Sequence, residues 1–135
     1  MKTISFMAVI LATTVSTSYA QKLSASKVPA EVKIAFAKNH AATKVGWVKE
    51  TANYEAEFML NGKETSELYS IKGALLETET EIKITELPDL VKMKLKGQKI
   101  AEAAKITKAD GTIVYEAEIN GKDMLFDPKG NPVKK

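Results

Sequence analysis

The chain has 135 residues, 44% of them hydrophobic, a formal charge of +3 and no cysteine. That length suits one domain burying about two thirds of its unfolded surface, and the missing cysteine excludes disulfides, thiolate metal sites and a thioether-linked lipid anchor. All basic residues are Lys, so the planar forked donor favoured for phosphate and guanine recognition is missing, which argues against a nucleic-acid partner.

Met1 to Ala20 begins with Lys2, continues through an apolar run from Ile4 to Val15 and ends Ser18-Tyr19-Ala20. This order predicts a secretory signal peptide, residues 1–20, cleaved after Ala20. The run is shorter than the roughly 20 residues of a membrane span. The expectation is a periplasmic or secreted protein without a membrane anchor, whose single domain covers residues 21–135.

Within that domain the sequence repeats at an offset near 60 residues. Val28-Pro29 returns as Leu87-Pro88, Tyr54-Glu55-Ala56-Glu57-Phe58 as Tyr115-Glu116-Ala117-Glu118-Ile119, and Asn61-Gly62-Lys63 as Asn120-Gly121-Lys122. Leu68 to Gly73 matches Leu125 to Gly130 in the same order. Two copies are read from this, about 27–84 and about 85–135.

Each copy opens with a helix signal: Pro29 or Pro88 at a first helical position, then Glu31 or Asp89 where the helix dipole favours an acid. Val28, Val32, Ala35, Phe36 and Asn39 share one helical face, and Leu87, Leu90, Val91 and Leu95 form its counterpart on a shorter helix ending before Gly97. The period then changes to two. Leu76, Thr78, Thr80, Ile82 and Ile84 alternate with Glu77, Glu79, Glu81 and Lys83, and Tyr54, Ala56 and Phe58 alternate with Glu55 and Glu57. Asn61-Gly62, Asp110-Gly111 and Asn120-Gly121 suit hairpins with positive φ at both central positions. Lys72-Gly73 and Lys129-Gly130 mark further reversals. Short loops require antiparallel neighbours. The predicted fold class is therefore α+β: two tandem helix-plus-antiparallel-meander repeats forming one sheet, with both helices on one face. The other face is expected to stay open, carrying Glu and Lys with some aromatics.

Val28-Pro29-x-x-Val32-x-x-Ala35-Phe36, Val45-Gly46-Trp47, Tyr54-Glu55-Ala56-Glu57-Phe58, Asn61-Gly62-Lys63 and Leu76-Glu77-Thr78-Glu79 resemble the PepSY-like, β-lactamase-inhibitor-like exported proteins of Bacteroidota-type bacteria. The resemblance spans nearly all of residues 21–135. It implies the two-repeat fold, an exported location and a binding or inhibitory role. The chain departs from the family's pattern with Ala41 where Pro often follows the first helix, and with Ser70-Ile71-Lys72-Gly73 where the second copy keeps the family's Asp127-Pro128-Lys129-Gly130.

Candidate chemistry is sparse. His40, the single histidine, suits a helix C-terminal cap; no nucleophile motif surrounds the serines and no phosphate loop occurs. The Glu77-Glu79-Glu81 stripe and Asp127 could offer carboxylates to a cation. Residues two apart on a strand lie roughly 6.5–7 Å apart, however, which makes a row and not a cage, and Asp127 precedes Pro128 and Gly130 as turn formers do. No catalytic residue, cofactor or metal site is assigned, and the chain is not read as an enzyme. Trp47, Tyr54, Tyr69 and Phe126 are either core or partner-binding aromatics, since such side chains carry much of the energy at interfaces. The leading reading is a non-enzymatic module binding a protein or peptide of the cell envelope through the open sheet face or hairpin loops, as a monomer or weak dimer. A small-ligand or metal-binding protein and a structural envelope protein are the alternatives.

Overall fold

The computed structural model describes residues 21–134, so the proposed leader lies outside the described residues. Nine strands form one antiparallel sheet in chain order: β1 Gln21–Leu23, β2 Val45–Glu50, β3 Asn53–Leu60, β4 Lys63–Tyr69, β5 Leu75–Ile82, β6 Glu102–Lys108, β7 Ile113–Ile119, β8 Lys122–Phe126 and β9 Pro132–Val133. A 3-10 turn Ala25–Lys27 and helix α1, Ala30–Asn39, separate β1 from β2. A 3-10 turn Ile84–Glu86 and helix α2, Asp89–Lys94, separate β5 from β6.

Pro29 and Pro88 sit one residue ahead of their helices with extended ψ, and their carbonyls accept the first helical bonds from Lys33 and Lys92 at 3.2 and 3.0 Å. Val28, Val32 and Phe36 are buried with Trp47, Tyr54, Ala56, Phe58 and Tyr69 in one cluster. Leu87, Val91 and Leu95 are buried with Ala103, Ala117, Ile119 and Phe126 in a second. Directly opposed residues share a face of the sheet, and Phe58 opposes Thr65, which opposes Thr80, Lys105, Tyr115 and Phe126 in turn. Both helices therefore cover the same face.

Leu90 corrects the expected helix stripe. It is 52% exposed, because it stands where α1 has Glu31, one position before the buried valine. Ile84 falls in the 3-10 turn instead of continuing β5.

The hairpin turns divide by chemistry. Asn61-Gly62 and Asn120-Gly121 carry positive φ at both residues, matching the right-handed strand twist. At Asp110-Gly111 only Gly111 is left-handed, because the Asp110 carboxylate instead accepts the Thr112 N–H at 2.8 Å. Gly73 and Gly130 have a different reason to be glycine. A Cβ on Gly73 would stand 2.6 Å from the Glu31 carbonyl oxygen, and one on Gly130 2.7 Å from that of Leu90. The loops after β4 and β8 thus lie directly against α1 and α2.

Candidate functional site

The sequence-predicted aromatics lie beneath the helices. Trp47 is 6% exposed, Tyr54 9%, Tyr69 1% and Phe126 1%. Phe36 meets Trp47 and Phe58 edge to face, with centroids 5.5 and 5.0 Å apart, an arrangement favoured by the ring quadrupoles. Lys49 Nζ stands 3.9 Å from the centre of Tyr54.

Among them is one polar group that sequence reasoning passed over. Glu67 opposes Ala56 on the helix-covered face and is buried. One carboxylate oxygen lies 3.0 Å from His40 Nε2, and the other accepts the Tyr69 hydroxyl proton. The His40 ring packs 4.9 Å from Phe36 and 4.5 Å from Phe58 between centroids, and its backbone N–H closes α1 on the Phe36 carbonyl. Burial, reinforced by the hydrogen bond and charge of Glu67, pushes the Tyr69 phenol well above its ordinary range. These three side chains are enclosed between helix and sheet, where they hold the end of α1 onto β4. Their phase along the strand was the available signal: Glu67 shares the phase of Tyr69, whereas Glu55 and Glu57 lie on the face opposite Tyr54.

The opposite face, which carries no helix, differs from the mixed Glu, Lys and aromatic surface expected. Every acidic strand residue except Glu67 points there, because the strands bring their polar phases into common cross-strand rows. One row runs Gly46, Glu57, Ser66, Glu79, Ile106, Val114. Beside it lie Val48, Glu55, Leu68, Glu77 and Lys108. On the other side Glu81, Ala104, Glu116 and Leu125 form a row, followed by Glu102, Glu118 and Asp123. Among strand lysines only Lys22 and Lys108 share this face, whereas Lys49, Lys63, Lys105 and Lys122 oppose residues of the helix-covered side.

Most of these glutamates are half-buried, while Glu102 and Asp123 are exposed. Desolvation raises the Glu57 carboxyl against the attraction of Lys22. Glu64 is raised by desolvation and then by the charges of Glu81, Glu102 and Glu57, and Glu102 by desolvation and then by Glu118, Glu81 and Asp123. Between the carboxylates Ser66, Ala104, Ile106 and Val114 form a buried floor, with Ile106 and Val114 each 3% exposed although no helix covers them. At one end an open groove of about 490 Å³ runs from Thr43 and Lys44 over Gly46 to Glu57, Met59 and Glu64.

Among the described residues no three His, Asp or Glu side chains converge where a metal ion could sit. Asp127 is occupied as a turn former: its carboxylate accepts the N–H groups of Lys129 and Asn131 at 2.8 and 2.9 Å and the Asn131 side-chain amide at 2.9 Å. The Asn131 bonds, first among several, hold its carboxyl below the ordinary aspartate range. No described helix is long and apolar enough to cross a membrane.

The arrangement of this sheet and its helices is found in solved structures. A presumed periplasmic protein of Bacteroides eggerthii superposes with a TM-score of 0.71 at 19% identity, over 79% of this chain and 86% of that one. A DUF2874 family protein of Bacteroides uniformis gives 0.69 at 19% identity, over 78% and 86%. A BLIP-like protein of Bacteroides fragilis gives 0.60 at 20% identity, over 78% and 84%. The fold is that of the DUF2874 and BLIP-like proteins. No family model matches the sequence and no curated protein is similar to it, so the likeness to the solved structures is one of fold. At these identities it carries no site residue from one protein to another.

Proposed function

We propose that this chain is an exported, non-catalytic binding module in which two copies of one helix-and-meander unit share a sheet and present its helix-free face to a protein partner in the cell envelope. The observation that carries the reading is the asymmetry of the sheet. One face is closed by both helices, and the other sets half-buried carboxylates around buried Ser66, Ala104, Ile106 and Val114. The leader-like segment Met1–Ala20 and the presumed periplasmic neighbour support the exported location. The BLIP-like neighbour supports a protein as partner.

The rival surface is the outer side of the helices, where Ile34 and Met93 are exposed at corresponding positions. A photo-crosslinking residue placed at Glu102 or Asp123, one at a time, is expected to yield a discrete adduct in intact cells. The same residue at Ile34 or Met93 is expected to yield none. Adducts from the helix positions alone would overturn the reading.

A further inference from the structure

We propose that Gln21, as the first residue of the exported chain, closes onto its own α-amine as a pyroglutamate lactam, and that this modification protects strand β1 from trimming. The proposal rests on the reading of Met1–Ala20 as a leader cleaved after Ala20, and adds a covalent site to it.

The chemistry lies within one residue. Cleavage before Gln21 frees its backbone nitrogen as an α-amine, which titrates near 8, so that roughly a tenth of it is the neutral nucleophile at about pH 7. That nitrogen attacks Cδ of the Gln21 side chain. The N–Cδ bond forms, the Cδ–Nε2 bond breaks, and ammonia leaves with the proton that the amine gives up. No oxidant, reductant or second substrate enters. Nucleophile and carbonyl are already tethered at the spacing of a five-membered ring, which replaces a bimolecular encounter by an intramolecular one. Asn in the same place would need a strained four-membered ring, and Glu would offer a carboxylate, a poor electrophile.

The fold gives the reaction its setting and its use. Gln21 is exposed, and β1 lies at the edge of the sheet with β2 as its single neighbour. Closure makes the Gln21 nitrogen an amide again, with the one N–H of an ordinary strand residue. It also removes the positive charge of an amine at the residue directly opposite Lys49. The first residues of a domain are mostly poorly ordered unless tied down, whereas here the pairing starts with the first one. Gln21 opposes Lys49, Lys22 opposes Val48 and Leu23 opposes Trp47, and Leu23 packs against the first core cluster. Removal of three residues would therefore strip a whole strand and leave β2 as a bare edge. Aminopeptidases act on a free α-amine, and the lactam has none.

The test expresses the full-length chain with its leader in a double-membrane bacterium. Protein recovered from the periplasm is held at neutral pH beside the synthetic peptide Gln-Lys-Leu-Ser-Ala, which serves as a clock. By the time the peptide has cyclised, intact-mass measurement should give residues 21–135 less one ammonia, and pyroglutamyl peptidase should convert the denatured protein to a chain starting at Lys22. An amine that stays free after the peptide has closed would overturn the modification and leave the leader reading intact. A chain that starts anywhere but Gln21 would overturn both. Gln21→Asn should keep its amine, lose β1 to a broad-specificity aminopeptidase and then melt several degrees below the cyclised parent taken through the same digest. Gln21→Ser replaces it if Asn alters leader cleavage. Resistance of the uncyclised variant equal to that of the parent would overturn the protective role.

Discussion

At the scale of single residues, His40, Glu67 and Tyr69 form a hydrogen-bonded ionisable group enclosed in the helix-covered core. The corresponding strand positions of the second half are apolar, with Met124 38% exposed where Glu67 is buried. Met124 opposes Ala117 as Glu67 opposes Ala56, and Phe126 opposes Tyr115 as Tyr69 opposes Tyr54. Removing one partner strands the other groups away from water, whereas replacing all of them does not. His40→Leu alone should therefore destabilise by about 2–3 kcal/mol in urea denaturation. The combined His40→Leu/Glu67→Met/Tyr69→Phe protein should lie closer to the parent than His40→Leu does. A combined loss as large as the sum of the single losses would show that the three groups act independently. The alternation that pairs Glu67 with Tyr69 was legible in the sequence. What was not legible is that Thr65, Glu67 and Tyr69 face the helix while Ser66 and Leu68 face away, since a single strand's period does not say which phase is covered.

At the scale of elements, turns and loop contacts fix the register. Thr51, between β2 and β3, has φ of 53°, a left-handed conformation that a β-branched residue adopts only under strain. Thr51→Gly should raise stability by about 0.5–1 kcal/mol, the relief of that strain less the entropy a glycine loses. An unchanged or lower urea midpoint would contradict it. Gly111 and Gly130 are both left-handed, but a Cβ on Gly111 meets nothing within 4 Å, whereas on Gly130 it meets the Leu90 backbone. Gly111→Ala should cost about 1–2 kcal/mol, and Gly130→Ala clearly more, about 3 kcal/mol, because a backbone carbonyl cannot swing aside as a side chain can. Equal midpoints for the two variants would mean that the loop after β8 is not held against α2. The Lys-Gly dipeptides announced reversals in the sequence, but their closeness to a helix 42 and 40 residues earlier in the chain, at Glu31 and Leu90, is tertiary and left no local mark. Asp110-Gly111 likewise looked like the Asn-Gly turns. Its carboxylate accepts the Thr112 N–H at 2.8 Å, and only Gly111 takes a positive φ.

At the scale of the whole molecule, charge separation sets the response to pH. Glu57, Glu64 and Glu102 have carboxyls raised above the ordinary glutamate value of 4.5. The folded state therefore holds more protons than the unfolded chain just above that value, and stability falls as pH rises through this window. Asp110, Asp127 and Glu86 are lowered, chiefly by hydrogen bonds to Thr112, Asn131 and Lys83 respectively. Their contribution is lost as pH falls through their folded values, below about 4. The melting temperature should accordingly rise on acidification from about pH 7 to about pH 5 and decline below about pH 4. A melting temperature that falls steadily from neutral pH downward would mean that the open-face carboxylates are not mutually destabilised. The overall α+β architecture was readable from alternation and turn residues. The gathering of acids on one face was not, because it depends on register carried across nine strands, through a bulge at Leu68 and Tyr69 and through both helical connections.

The order of the strands has a consequence in time. Each strand pairs only with its immediate predecessor and successor in the chain, so no hydrogen-bonded ladder waits for a distant segment. The long closures are the two that span a helix, between β1 and β2 across α1 and between β5 and β6 across α2. A chain threaded end-first can thus lay down β1 through β5 with α1 above them before β6 has emerged. Loop closure then costs little at every other step, and the relaxation should be fast for a sheet this wide. β5 is the last strand added to the first half of the sheet, by pairing with β4, and the template on which β6 begins the second.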